Sequence, residues 1–293
     1  MATIAQWIDG ARPRTLPAAV APVAVGTGAA YAQSHVSVGL AVLALVVALG
    51  LQIGSNYAND YSDGVRGTDA ERVGPVRLVG QGLAAAPTVK AAAYGSFFFA
   101  AVFGLALVAL TETWLMLPVG AAALVAAWRY TGGDRPYGYR GLGEVSVFLF
   151  FGLVSTLGTQ YTQIHRITWA GLLGALGVGA LACALLVTNN LRDISTDAAA
   201  GKRTLAVRLG DARTRRLWLG LLAVAAAAVA VVGVWHPVAL VGLAAFAFAA
   251  RPAAAIRAGA TGPDLVPVLA ATGRLQLAYG VLVAVGLALT RLR

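Results

Sequence analysis

Apolar residues run along this chain in long stretches separated by short polar segments. Crossing the hydrocarbon core of a bilayer as a helix takes about 20 predominantly apolar residues. Windows of that kind, tolerant of small and weakly polar residues, fall at nine places: 15–33, 37–60, 87–110, 114–130, 144–163, 168–190, 216–235, 237–256 and 270–290. Trp235, His236 and Pro237 mark the narrowest break, where two spans run close to being one. The pattern predicts an all-α integral membrane protein, a bundle of about nine transmembrane helices. No long polar or low-complexity linker divides it, so residues 1–293 read as one domain. Abundant alanine and glycine in the spans suits close approach of helix backbones in lipid.

Composition agrees with this reading: 59% of residues are hydrophobic, 12% are charged, and the mean hydropathy is +0.75. Charge then sets orientation. With the N-terminus in the cytoplasm, all but Arg166, Arg291 and Arg293 of the 22 lysines and arginines fall on the cytoplasmic side. The excess of positive charge inside selects that orientation. Membrane topology therefore accounts for the net charge of +10 without a nucleic-acid partner. Cys183 is the single cysteine, so no intrachain disulfide forms. His35, His165 and His236 fall in separate outer loops, which argues against a shared metal site.

The two largest loops begin where an apolar span meets a short acidic segment, NYANDYSDGVRGTD at 56–69 and NNLRDISTD at 189–197. Asn59 and Asp63 stand four residues apart, and Asn189, Asp193 and Asp197 repeat that step. Residues four apart share a helix face. Both segments follow an apolar helix and lead into a basic, glycine-containing stretch, which reads as a weak internal repeat with a site at its interface. Asp carboxylates and Asn carbonyls are hard oxygen ligands, suited to Mg2+ or Mn2+. Since Mg2+ is usually held by a few carboxylates together with substrate phosphates, two opposed faces of this kind suit a diphosphate. Arg77, Lys202 and Arg203 supply cations for its oxygens. Isolated acids such as Asp69 and Glu71 are equally explained as solvated partners of nearby arginines. An ion-coupled transporter is the competing class, because acids within membrane spans also serve carriers.

NDYSDG with GTD after it, and the later DISTDAAAGKRT, resemble the two aspartate-rich motifs of the UbiA superfamily of intramembrane prenyltransferases. RPRTLPAAVAPV at 12–23, GPVR at 74–77, YTGGDRPYGYRGLGE at 130–144 and NNLRDISTDAAAGKRTLAVRLG at 189–210 are most similar to its menaquinone branch, the 1,4-dihydroxy-2-naphthoate polyprenyltransferases. The resemblance spans the chain. It implies a helical bundle around a cavity that opens to the cytoplasm and sideways to lipid, in a bacterial cell membrane. It also implies a polyprenyl diphosphate donor and transfer to dihydroxynaphthoate with loss of the carboxylate. Another aromatic acceptor, such as 4-hydroxybenzoate, is the alternative within the family. Carried over by position, Asn59, Asp63, Asn189, Asp193 and Asp197 would bind the Mg2+ diphosphate, with Asp60 and Asp69 close by; Asp60, Asp63, Asp193 and Asp197 would be catalytic. Arg203 would help hold the diphosphate. Tyr130, Tyr137 and Tyr139 would shield a prenyl cation, or form an interfacial aromatic belt. Arg12 or Arg14 would hold the acceptor's carboxylate, and Glu144 at a helix start has a sufficient structural role beside the helix dipole. The family pattern departs at Asp69, which stands six residues after Asp63 where four is usual.

Overall fold

The computed structural model describes residues 2–34, 36–67 and 76–291. Asp69, Glu71 and His35 therefore lie outside the described residues. All regular structure among the described residues is helical. In chain order the α-helices are α1 (Ile4–Gly10), α2 (Pro17–Tyr31), α3 (Val38–Val65), α4 (Ala86–Thr111), α5 (Met116–Arg129), α6 (Gly143–Val147), α7 (Ser155–Ile164), α8 (Trp169–Arg192), α9 (Ile194–Ala199), α10 (Leu205–Leu209), α11 (Asp211–Trp235), α12 (Ala250–Arg257) and α13 (Leu265–Thr290). A π-helical stretch, Phe148–Val154, joins α6 to α7 into one rod, and a 3-10 stretch, Pro237–Ala249, runs into α12.

Each of the nine expected spans coincides with a helix or such a composite. Seven are long and apolar enough to cross a bilayer. The other two expected spans fall on shorter helices, α2 and α5. This is a multi-pass membrane protein. The narrow break holds, because the backbone turns at His236 and Pro237 cannot continue the ladder of α11. Helix α3 continues past the expected end of its span, so the whole of Asn56, Asn59 and Asp63 is helical. Helix α8 behaves differently. It stops at Arg192, and Asp193 leaves helical geometry (φ −101°, ψ 11°) before α9 begins.

The bundle has a dense half and an open half. Helix α8 is the central post, with 78% of its apolar window buried; α2, α11 and α13 pack on it, and Pro237–Arg257 packs in turn on α11 and α13, all in one hydrophobic core. Lipid offers no hydrophobic gain for apposing apolar faces, so this core depends on close van der Waals contact. Small residues permit it: a Cβ added at Gly28 would lie 2.6 Å from the Ala284 backbone, and one at Gly280 would lie 2.6 Å from Ala21. Tyr279, fully buried, donates to the Ala225 carbonyl at 3.1 Å. In the open half, α5 rests on α3 and α4, and α3, α4, α5 and the Gly143–Ile164 rod enclose a cavity of about 930 Å³.

Replacing Gly280 by Leu forces side-chain atoms into α2, an overpacking expected to cost about 1–3 kcal/mol. Thermal unfolding in detergent should show a clear drop in Tm for G280L. An unchanged Tm would mean that the α2–α13 contact does not limit stability.

Candidate active site

Two loops and two helix ends meet at the mouth of this cavity. From α3 come Asn59 and Asp63, one helical turn apart and both lining the cavity. From the second acidic segment come Asn189 and Asp197, which line it too. The two segments are joined directly: Lys202 Nζ lies 3.1 Å from Asp63 Oδ2, with both side chains almost wholly buried. The Tyr139 hydroxyl donates to the other oxygen of Asp63. Its ring carries Lys202 at 4.7 Å on the ring centroid and Arg66 at 5.3 Å.

Residues 130–142 are the clamp between the segments. Thr131 Oγ1 donates to Asn59 Oδ1 at 2.7 Å, Arg66 reaches the Thr131 carbonyl at 2.6 Å, and the Arg203 amide donates to the Tyr139 carbonyl at 2.9 Å. The loop folds tightly because Gly138 donates to the Tyr130 carbonyl at 3.0 Å. A Cβ at Gly138 would sit 2.6 Å from that oxygen, so the turn requires glycine. Tyr137 is fixed by its hydroxyl, 2.8 Å from both the Ala126 carbonyl and Ser146 Oγ. Burial raises the phenol pKa of Tyr130, with the Glu144 carboxylate adding to the effect, and burial raises Tyr137 against an opposing hydrogen bond from Ser146. Both remain neutral rings, set edge to face 5.6 Å apart.

The expected four-residue face of the second segment is broken. Because α8 ends at Arg192, Asp193 does not join Asn189 and Asp197 along the cavity wall. Instead Arg192 grips it with Nε at 2.7 Å and Nη2 at 2.8 Å, and the same Nη2 reaches Asn189 Oδ1 at 2.9 Å. Asp193 thus bends the chain and holds Asn189 through a shared guanidinium. Asp60 also departs from expectation. It stands one residue beyond Asn59, about 100° round the helix, and does not line the cavity. Its oxygens accept the amides of Leu78 and Val79 at 2.7 and 3.0 Å, fixing the loop that carries Arg77. Arg203 likewise lies outside the cavity wall, whereas Lys202 and Arg77 are part of it. Glu144 is buried at the start of α6 and accepts from Asn190 Nδ2 at 3.0 Å.

The N-terminal arm closes one side. Arg12, in the left-handed region (φ 55°), and Arg14 both line the cavity. Three residues of α3 hold the arm. Asn56 Nδ2 donates to the Ala11 carbonyl at 2.8 Å and to Thr15 Oγ1 at 3.0 Å. Gln52 reaches the same Thr15 hydroxyl at 3.0 Å, and Tyr57 donates to the Trp7 carbonyl at 2.9 Å. Gln52, Asn56, Thr131 and Asn190 all line the cavity, and sequence reasoning missed them because they lie off the Asn–Asp steps of the two acidic segments. A signal existed for two of them, since Gln52 and Asn56 precede Asn59 and Asp63 at steps of three and four.

Among the described residues no three acidic, histidine or cysteine side chains converge on one point. The oxygen donors at the mouth are Asn59, Asp63, Asn189 and Asp197, with Lys202 and Arg77 beside them. That set fits a hard cation bringing phosphate oxygens of its own, since Mg2+ retains several non-protein ligands. Below the mouth the wall is apolar, formed by residues such as Val47, Leu51, Leu105 and Phe151. One cavity therefore joins a polar head to a long apolar body.

Residues 19–263 match the UbiA prenyltransferase family. The chain is 56% identical over 293 residues to a 1,4-dihydroxy-2-naphthoate octaprenyltransferase of Mycobacterium tuberculosis, covering 100% of both. It is 44% identical over 222 residues to the enzyme of that name from Escherichia coli, covering 74% of this chain and 72% of the relative. A solved UbiA homolog from Archaeoglobus fulgidus bound to DMAPP and Mg2+ shares the fold, with a TM-score of 0.68 at 16% identity over 96% of this chain and 99% of that one. The pattern of apolar spans, the paired acidic segments and these matches agree: this chain belongs to the UbiA prenyltransferase family.

Proposed function

We propose that the protein transfers a polyprenyl group from its diphosphate to 1,4-dihydroxy-2-naphthoate, with loss of the acceptor's carboxylate, in menaquinone biosynthesis. The single observation that carries this reading is the cavity that joins an oxygen-rich, cationic mouth to an apolar channel. Full-length identity of 56% to a naphthoate octaprenyltransferase supports the choice of acceptor over 4-hydroxybenzoate. The transporter reading is disfavoured by position, since Asp63 stands in the last turn of α3 and not at mid-membrane. The bacterial relatives support an inner-membrane location, and the distribution of basic residues supports the N-terminus and the mouth lying on the cytoplasmic side.

In this proposal Asn59, Asp63, Asn189 and Asp197 would hold the divalent metal together with the diphosphate, Mg2+ being the expected ion and Mn2+ a substitute. Asp69 would join them from outside the described residues. The metal supplies charge neutralisation of the diphosphate when bound. Lys202 and Arg77 contribute cations to the same oxygens, so that negative charge on the departing diphosphate is stabilised as the allylic carbon–oxygen bond breaks. Tyr130, Tyr137 and Tyr139 turn aromatic rings toward the prenyl cation. Arg12 or Arg14 orients the acceptor through its carboxylate, so that the carboxyl-bearing ring carbon faces the cation. That carbon attacks, and carbon dioxide leaves with its bonding electrons returned to the ring. Asp193 acts through Arg192 and Asp60 through the Arg77 loop, both as positioning residues, and Arg203 does so through the Tyr139 loop. The whole chain serves as one domain, with the prenyl tail lying along the apolar part of the cavity below the mouth.

Purified protein supplied with a polyprenyl diphosphate, Mg2+ and dihydroxynaphthoate should release diphosphate and form prenylated naphthoquinol. No release with any aromatic acceptor contradicts the reading. Asp63→Asn should lower turnover by about a hundredfold or more, in line with the loss of one preorganised electrostatic contact. Near-normal kcat in D63N would remove Asp63 from the metal set. For Asp60→Ala the balance differs, because two hydrogen bonds to a carboxylate, one buried and one partly buried, are lost, worth about 1.5–3 kcal/mol each. Thermal unfolding should register that loss, and an unchanged Tm in D60A would refute the anchoring role.

A further inference from the structure

Most interior glycines of this bundle are explained by contact. A Cβ at Gly28, Gly54, Gly152 or Gly280 would fall within 2.7 Å of a neighbouring helix. Five other helical glycines meet nothing nearer than 3.9 Å; of these Gly95 and Gly220 are exposed and lie off the cavity wall, which leaves three. A Cβ at Gly104 of α4 would meet nothing nearer than Val47 Cγ2 at 3.9 Å, and one at Gly158 of α7 nothing nearer than Met116 Sδ at 3.9 Å. At Gly120 of α5 it would meet nothing within 4 Å. None of the three has a positive φ, so the backbone does not demand glycine there either. A glycine inside a helix nonetheless costs about 1 kcal/mol relative to alanine. What the three share is that all line the apolar part of the cavity.

They come from three different walls and stand at three depths. Helix α4 starts at the mouth end with Ala86, the α6–α7 rod starts there with Gly143, and α5 arrives there with Arg129. At about 1.5 Å of rise per residue, Gly120 lies about 14 Å, Gly158 about 22 Å and Gly104 about 27 Å from that level. The deepest pair sits close to the thickness of the hydrocarbon core, about 30 Å.

We propose that Gly120, Gly158 and Gly104 set the length of prenyl chain the enzyme accepts, each leaving open a successively deeper section of the channel. The inference rests on the prenyl-transfer reading above. A bulky side chain at one of these positions projects into the channel and blocks the tail beyond it. A donor too short to reach that depth meets no such block.

The test measures kcat/KM for a ladder of donors, from geranyl diphosphate through farnesyl and geranylgeranyl to longer polyprenyl diphosphates, in wild type and in the Gly→Leu and Gly→Phe variants. For each variant the ratio of long-donor to geranyl kcat/KM should fall by about tenfold or more, the size of a core overpacking penalty. The donor length at which the fall begins should increase in the order Gly120, Gly158, Gly104. Gly→Ala and Gly→Val at the same positions keep the test sound where a larger side chain prevents folding, and their ratios should decline with side-chain size. Ratios that stay flat across Ala, Val and Leu, or that fall at the same donor length for all three positions, overturn the proposal. Wild-type inactivity with every donor would overturn the functional reading itself, a result distinct from activity with unmoved ratios.

Discussion

The buried ion pair between Asp63 and Lys202 is the contact on which the site depends, because it joins the end of α3 to the chain that follows α8. Charges out of water are costly unless paired and hydrogen-bonded, so each partner fixes the other's place. Tyr139 completes the pairing with its hydroxyl on the carboxylate and its ring under the ammonium. Through the same residue the loop 130–142 is tied to Arg203 by a backbone hydrogen bond. Two segments more than a hundred residues apart in sequence become one wall, and the donors on either side of it face one volume.

The dense half of the bundle makes that wall rigid. Helix α8 delivers Asn189 at its last turn only because it is clasped by α2, α11 and α13 through small-residue contacts. The open half has the opposite property. Helices α3, α4 and α5 leave a volume unfilled, lined by apolar side chains from Val47 to Phe151 with Gly104, Gly120 and Gly158 among them. A polar head held by the rigid half and a hydrocarbon tail admitted by the loose half are two demands of one amphiphilic substrate. The division of the bundle answers both.

Much of this was legible in the chain itself. All nine apolar windows correspond to helical segments, because in lipid every backbone polar group must be satisfied within its own segment. Asn59 and Asp63 were readable as a pair because α3 continues through them. The second segment was less so: its four-residue rhythm assumes an unbroken helix, and Asp193 ends α8 where Arg192 can take its carboxylate in a fork. Helix ends depend on such local competition, which spacing does not encode. Asp60 sits beside Asn59 in sequence but on another face, and its partners are amides of a loop that no motif identifies. Neutral residues such as Thr131 and Asn190 were invisible for a simpler reason, and Gln52 and Asn56 showed only their helical spacing. Their role is to hold other groups in place, and only the folded loop and arm reveal what they hold.

The central claim is that the two acidic segments act as one binding unit for a metal-complexed diphosphate. Calorimetric binding of inorganic diphosphate with Mg2+ to wild type, Asp63→Asn, Asp197→Asn and the double variant tests it without requiring turnover. The account predicts that either single substitution removes most of the affinity and that the double variant loses little more, a coupling on the order of 0.5–3 kcal/mol. Independent, additive losses, or unaltered binding in Asp197→Asn, would contradict it.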